Sequence, residues 1–258
     1  MNRLEGKVII VTGSTTGIGE AIARRCVAEG ARVLIHGLEK EAGERVTASL
    51  GDRAAFHMDD LTEAAAAPRI VEAAARAFGR LDGLVNNAAW VVRGQLADVT
   101  PEFFDRVMAI NVRAPLLLIQ SALPHLAATR GVVVNIGSVN AYSGEQNLLP
   151  YSISKGALQT MSRNLGDTLH RQHGVRVNQI NPGWVLTENE RLAKQKEGMP
   201  PDWPEHLPKI FAPAGRIFSP EEIAATAALF LSDEFGPVSG SVIDLEQHPF
   251  IGRNPPKC

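Results

Sequence analysis

An apolar run, a turn with three glycines and a helical pattern follow one another at the start of this chain. That order restricts the folds open to it more than any other feature. Residues 7–12 read as a strand buried on both faces, because Val8, Ile9, Ile10 and Val11 leave no polar side for water. Gly13-Ser14-Thr15-Thr16-Gly17-Ile18-Gly19 comes next, and a helical pattern covers residues 20–29. Glycine lets the backbone turn tightly and lets a ligand approach it closely. The start of the following helix then offers unpaired N–H groups and its positive dipole end, which suits a phosphate. The spacing is G-x-x-x-G-x-G, not the commoner G-x-G-x-x-G. A plain strand-to-helix turn would read the same way, but a strand before and a helix after give such glycines a nucleotide-binding meaning.

The alternation continues. Strand patterns at residues 32–36, 54–58, 81–86, 131–137, 175–181 and 241–245 alternate with helical patterns. The helices are expected at 39–50, from about 62, at 101–129 behind Thr100, at 149–173, and from Ser219-Pro220-Glu221-Glu222 to about 232. A length of 258 residues fits one large domain or two small ones. No linker or low-complexity segment divides the chain, so the expectation is one α/β domain over residues 1–258. It is a doubly wound Rossmann-type domain with a seven-stranded, mostly parallel sheet flanked by helices. Residues 188–214 break the rhythm with charged turns and five prolines, and read as a lid over a substrate site. Residues 246–258 form a C-terminal tail.

The totals exclude several classes. A net charge of -2 gives no electrostatic case for nucleic acid or an acidic membrane. No apolar run approaches the roughly 20 residues of a membrane span. The first six residues lead straight into a strand without a signal pattern, so a cytoplasmic location is expected. Cys26 and Cys258 are the only cysteines, which suits a reducing compartment and no disulfide framework. No Cys/His cluster at ligand spacing supports a metal site.

Chemistry concentrates at the ends of the strands. Tyr151 and Lys155 lie one helical turn apart. A phenol titrates near 10, too high for a base at neutral pH, and a nearby ammonium lowers that value. Such a pair can move a proton to or from a substrate oxygen, although an exposed helix turn can carry the same spacing by chance. Gly37 and Leu38 close the second strand, where an acid would select NAD and an arginine would accommodate the extra phosphate of NADP. Neither is present, and Thr15 and Thr16 add no positive charge, so NAD is favoured with NADP left open. Asp60, at the end of the third strand, could accept from an adenine amino group or cap a helix near residue 62. Asn111 falls mid-helix, where asparagine competes for backbone groups, so it implies a specific role or a local distortion. Pro115 and Pro124 should bend the same region.

With Thr12-Gly13-x-x-x-Gly17-Ile18-Gly19, Asn86-Asn87-Ala88, Asn111, Ser138, Tyr151-x-x-Ser154-Lys155 and Pro182-Gly183 in this order, the chain resembles the short-chain dehydrogenases/reductases. The resemblance runs from Gly6 to about Asp244. It implies an NAD(P)-dependent oxidoreductase interconverting a secondary alcohol and a ketone. It implies Tyr151 as acid/base, Ser138 on the substrate oxygen, Lys155 on the nicotinamide ribose and lowering the Tyr151 pKa, and Asn111 anchoring a water behind Lys155. Gly13, Thr16, Gly17, Ile18 and Gly19 would meet the pyrophosphate. Gly37, Leu38, Asp60, Leu61, Asn87, Ala88 and Ala89 would border the adenosine. Pro182, Gly183, Val185 and Thr187 would hold the nicotinamide end, beside Tyr151 and Lys155. A homo-oligomer is implied too, a tetramer or a dimer, through the helices at 101–129 and 149–173.

Two departures stand out. Ala89 replaces the glycine that usually closes Asn-Asn-Ala-Gly. Asp244-Leu245-Glu246-Gln247 replaces the usual Asp-Gly-Gly, so the tail is expected to shape a neighbouring subunit's pocket. Asn140, Glu145, Gln146 and Trp184 near the catalytic groups suit a polyol, sugar or sugar acid, or are solvated loop residues. A 3-oxoacyl carrier or CoA reductase, an epimerase or dehydratase with retained cofactor, and a catalytically silent nucleotide-binding sensor are the alternatives.

Overall fold

The computed structural model describes residues 2–142 and 144–247. Its centre is one sheet of seven strands: β1 (Val8–Val11), β2 (Arg32–Gly37), β3 (Ala54–Met58), β4 (Gly83–Asn86), β5 (Val132–Ile136), β6 (Arg176–Pro182) and β7 (Val242–Leu245). Their spatial order is 3-2-1-4-5-6-7, and every pairing is parallel. The expected seven-stranded, mostly parallel sheet is borne out, with every pairing among the described residues parallel. Parallel strands need crossovers, and helices supply them. These are α1 (Gly17–Ala28), α2 (Lys40–Leu50), α3 (Ala66–Phe78), α4 (Pro101–Met108), α5 (Ala114–Thr129), α6 (Leu149–His173), α7 (Glu188–Lys196) and α8 (Pro220–Leu231).

Strand alternation divides the core in two. Ile9, Val11, Val33 and Ile35 face α1, α2 and α8, while Val8, Ile10 and Leu34 face α3, α5 and α6. Both faces are covered, which is why the strands read as unbroken apolar runs. The strand order reverses between β1 and β4. Ligands bind in such sheets outside the carboxyl ends of the strands at that reversal. The glycine turn after β1 and Asn87-Ala88 after β4 sit at this point.

Several boundaries move for local reasons. Helix α1 begins at Gly17, inside the glycine turn. Helix α3 begins at Ala66 instead of residue 62, because Asp60 Oδ1 accepts from the Thr62 N–H at 2.8 Å and closes a turn first. The expected long helix over 101–129 is α4 and α5 joined by a π turn, Ala109–Arg113, which contains Asn111. Asparagine thus marked the distortion correctly. Pro115 opens α5 and Pro124 lies inside it. By length and composition, residues 101–129 would pass as a membrane-crossing helix, contrary to the sequence reading. In the fold, Leu118, Ile119, Ala122 and Leu126 are buried against α3 and the sheet.

Candidate active site

The glycine turn is built by close approach. A methyl on Gly19 would lie 2.1 Å from the Gly13 carbonyl oxygen and 2.4 Å from Asn87 Nδ2. Gly13, at φ 61°, abuts Ala88, whose Cα would lie 2.8 Å from an added Cβ. Asn87 Nδ2 donates to the Thr12 and Gly13 carbonyls at 2.9 and 3.0 Å, so this side chain secures the loop. Thr16 caps α1 in an extended conformation without a side-chain bond, leaving the first helical N–H groups to the space above the turn. Thr187 stands across from Gly17, 3.5 Å from a Cβ built there. A narrow bay with free N–H donors on one wall and residues 182–187 on the other fits an extended dinucleotide.

Strand β2 ends differently from the sequence reading. A Cβ on Gly37 would fall 2.6 Å from Thr15 Cγ2 and 3.2 Å from Glu39 Oε2, so no side chain fits there. The acid comes from two residues further on: Thr15 Oγ1 donates to Glu39 Oε2 at 2.7 Å. Leu38 points outward, 58% exposed. Glu39 was read only as the first residue of a helix. Its position just after a glycine-ended strand was the available signal. Asp60 spends one oxygen on Thr62, and Leu61 is buried in the core facing α3. The Thr12 hydroxyl accepts from the Ala88 N–H at 3.1 Å, and Ala89 is exposed beyond it.

On the other side, Ser138, Tyr151 and Lys155 converge. Ser138 Oγ hydrogen-bonds Tyr151 and accepts from the Asn140 N–H at 3.1 Å. Lys155 Nζ donates to the Ile136 carbonyl at 2.7 Å and lies 5.6 Å from the Tyr151 ring centroid. Asn111 sits behind them. Its Oδ1 accepts from Trp90 N at 2.8 Å, and its Nδ2 donates to Ser154 Oγ at 3.0 Å and Trp90 O at 3.2 Å. The side-chain amide is therefore committed to the chain.

Protonation departs from the expected pattern. Burial pushes Tyr151 up to about 12, and the charges of Glu145 and Glu190 add to this, against the Ser138 hydrogen bond, which favours phenolate. Burial pushes Lys155 down to about 7. The expected net lowering of Tyr151 by Lys155 is thus corrected: burial of the phenol dominates, and the Lys155 ammonium lies over the ring instead of beside the oxygen.

Beyond β6, residues 184–217 form a roof with a small core of its own. Trp184 stacks on buried Trp203 at 5.1 Å, and its Nε1 donates to Glu190 Oε1 at 2.8 Å. Ala212 and Ile217 complete a small core there. Helix α7 adds Lys194–Glu197 at 2.7 Å and Arg93–Glu197 at 2.9 Å, which ties the roof to the loop after β4. Val185 is buried and bridges Phe218, while the Thr187 hydroxyl caps α7 by accepting from Glu190 N. Asn140 is buried, Glu145 half-buried, and Gln146 exposed, with Nε2 3.5 Å from Gln95 Oε1. Gly183 N donates to Leu245 O at 2.8 Å, placing Pro182-Gly183 beside the edge strand. Gln247 accepts from Ala214 N at 3.0 Å and donates to Arg216 O at 2.6 Å, stapling the chain after β7 to the roof. The rest of the tail, residues 248–258, lies outside the described residues.

Known proteins share this arrangement. The family model described as Enoyl-(Acyl carrier protein) reductase matches residues 13–246. The chain is 32% identical to meso-2,3-butanediol dehydrogenase of Serratia marcescens, over 99% of each chain. It is 36% identical to L-fucose dehydrogenase of Bos taurus, over 90% of this chain and 85% of that one. Among solved structures it is similar to the 3-ketoacyl-(acyl-carrier-protein) reductase of Brucella melitensis complexed with NADH. That match has a TM-score of 0.82 and 30% identity, over 94% of this chain and 97% of the other. The chain belongs to the short-chain dehydrogenases/reductases and is an NAD(P)-dependent oxidoreductase acting on CH–OH groups.

Proposed function

We propose that this enzyme interconverts a secondary alcohol and a ketone on a small, neutral, polyhydroxylated substrate, a polyol or sugar, with NAD. The observation that carries the substrate class is the charge around Tyr151. Glu145 and Glu190 are close enough to raise the pKa of its phenol, with Trp184 Nε1 on Glu190 and Asn140 N on Ser138 Oγ. Carboxylates accept from substrate hydroxyls and repel substrate carboxylates or phosphates. A sugar acid or an acyl carrier is therefore the weaker choice within the same reaction. Relatives named for a diol and a sugar support this reading.

NAD(P), when bound, supplies the hydride acceptor or donor. Residues 13–19 hold the pyrophosphate on the free N–H groups of α1, and residues 182–187 hold the nicotinamide end. Glu39 favours NAD, because its carboxylate at the glycine turn accepts from a ribose hydroxyl and repels a 2′-phosphate. Ser138 accepts from Asn140 N, and its own proton, held by the Tyr151 oxygen in this structure, turns to the substrate oxygen when substrate binds. Tyr151 removes the hydroxyl proton during oxidation and returns it during reduction. Lys155 holds the ribose side and the ring of Tyr151. Any water behind it falls to the backbone of the π turn, since the Asn111 amide is already bound. The exposed apolar side chains Leu116 on α5 and Ile153 on α6 support a homo-oligomer through these helices, and the residue balance supports a cytoplasmic site of action.

The test is absorbance at the reduced-nicotinamide band with polyols, sugars, sugar acids and a 3-oxoacyl thioester, using NAD and NADP in parallel. Turnover with a neutral polyol or sugar and NAD is expected, and Tyr151→Phe should lower it about 10²–10⁴-fold. Glu39→Gln should narrow the NAD preference about tenfold, or about 1.4 kcal/mol. Turnover confined to the acids or the thioester would overturn the substrate class, and NADP preference would overturn the role of Glu39.

A further inference from the structure

We infer that Asn181 is a positioning residue for Ser138, and that it couples the edge strand β7 to the hydroxyl that meets the substrate. Asn181 lies on β6, is fully buried, and is in register with Asp244 of β7. Its side chain also hydrogen-bonds the phenol of Tyr142. Oδ1 accepts from the Ser138 backbone N–H at 3.2 Å and from Gln179 Nε2 at 2.7 Å. Nδ2 donates to Asp244 Oδ1 at 3.0 Å and to Gln159 Oε1 at 2.9 Å. The amide orientation is chemically forced. A backbone N–H can only donate and an ionised carboxylate can only accept, so oxygen must face Ser138 and nitrogen must face Asp244.

Asp244 carries the constraint onward. Its Oδ1 also accepts from Tyr142 Oη at 3.1 Å. The segment 138–142 is thus held at both ends by one pair of side chains: Ser138 through Asn181, and Tyr142 through Asp244. Gly137 makes room for this. A Cβ there would lie 2.1 Å from Asn181 Oδ1 and 2.3 Å from Gln179 Nε2. Between these anchors, Ser138 is extended at φ -168° and ψ 151°, with its hydroxyl on Tyr151 and Asn140 N. A shift of about 1 Å at a positioned catalytic group can cost about 10²-fold in rate, so an anchor of this kind is visible in turnover.

The inference rests on Ser138 and Tyr151 acting as proposed above, and a charge-conserving swap tests it separately. Asn181→Asp keeps the acceptor for Ser138 N–H but sets two carboxylates against each other. Adding Asp244→Asn restores one donor and one acceptor between positions 181 and 244. Asn181→Asp is expected to lower kcat about 10–100-fold with NAD affinity unchanged. It should also move the Tyr151 ionisation in the pH–rate profile upward, which shifts the rise of alcohol oxidation to higher pH, since Ser138 no longer supports the phenolate. Asn181→Asp/Asp244→Asn is expected to recover at least half of kcat and the parent pH profile. Parent kcat and pH profile in a folded Asn181→Asp protein would overturn the inference. So would a double variant that regains the parent melting temperature without regaining rate or pH profile. If Asn181→Asp fails to fold, Tyr142→Phe carries the test, with an expected two- to fivefold loss of kcat at constant NAD affinity and no loss overturning it. Ser138→Ala and Tyr151→Phe run alongside. Full activity in those two would remove the catalytic reading itself, which is a different failure.

Discussion

The half of the sheet that carries the glycine turn and the half that carries Ser138 are held by opposite means. In β1 and β2, the residues behind the turn are Val8 to Val11 and Val33 to Ile35, all buried hydrocarbon. The turn is fitted chiefly by contact, Gly19 against the Gly13 carbonyl and Gly13 against Ala88, with one amide, Asn87, bonded across it. In β4, β5 and β6 a ladder of side-chain amides crosses the buried sheet. Asn86 Nδ2 donates to Asn135 Oδ1 at 2.8 Å and Asn135 Nδ2 to Ser162 Oγ at 2.8 Å. Ser162 Oγ donates to Gln179 Oε1 at 2.7 Å, and Gln179 reaches Asn181. Steric fit fixes where a backbone goes; a hydrogen-bonded amide also fixes how a neighbouring group is turned. The cofactor side needs the first, since backbone N–H groups do the binding. The substrate side needs the second, since one hydroxyl must point at one atom.

The contrast breaks most sharply at Gly19. A methyl there meets a backbone oxygen that cannot retreat without moving the turn. Gly19→Ala should weaken NAD binding about 100-fold or more and lower stability by about 1–3 kcal/mol, the usual cost of overpacking. Calorimetric titration with NAD and a thermal melt check both parts. Retention of parent affinity would mean that the turn is not fitted by contact. On the other side, removal of an amide is the damaging change. Asn135→Leu keeps the branched outline in a larger side chain but strips Asn86 Nδ2 and Ser162 Oγ of a partner, and Asn86 Oδ1 already lacks one among the described residues. The expected cost is about 2–4 kcal/mol by urea denaturation, as for a broken buried network. Ile10→Val in the hydrocarbon half should cost only about 0.5–1.5 kcal/mol. Equal costs would erase the distinction between the halves.

The sequence carried the hydrocarbon half well and the amide half poorly, for a physical reason. Val8 to Val11, the three glycines and the helix after them are local signals, read from neighbours in the chain. Tyr151 and Lys155 are also local, one helical turn apart. Asn181 and Asp244 are 63 positions apart, and Ser138 and Asn181 are 43. Nothing nearby in the chain says that they meet. Asn111 fell between these cases: its residue type announced a distortion, and the π turn is there, but its partner Trp90 lies 21 positions away. Glu39 is visible in the sequence as an acid, but its place against Thr15 and beside Gly37 is not, because only the closed turn brings the three together. The protonation of Tyr151 was misjudged because burial depends on the whole fold, whereas spacing reveals only the neighbour.

Lys155 marks where the two halves meet, and its expected stability effect is a gain where those above are losses. Burial holds its ammonium down to about 7, against an ordinary value of 10.5, with one hydrogen bond to Ile136 O in return. That depression is equivalent to about 4–5 kcal/mol against the charged form. The unfolded chain binds the extra proton between pH 7 and 10.5, so this group makes stability rise with pH across that window. Below pH 7 both states are protonated and the penalty is complete. Tyr151, held up to about 12, acts only above pH 10 and in the opposite direction. Lys155→Met removes the buried charge, keeps most of the volume, and leaves the Ile136 carbonyl unpaired. The net expectation is a gain of about 1–3 kcal/mol at pH 6 that fades towards pH 10, together with loss of turnover. Urea denaturation of parent and variant at pH 6, 8 and 10 measures it. A variant less stable than the parent at pH 6 would show that Lys155 supports the fold as well as the reaction. A gain that fades as predicted would show a charge kept in the core for chemistry, at the boundary between the half built by contact and the half built by hydrogen bonds.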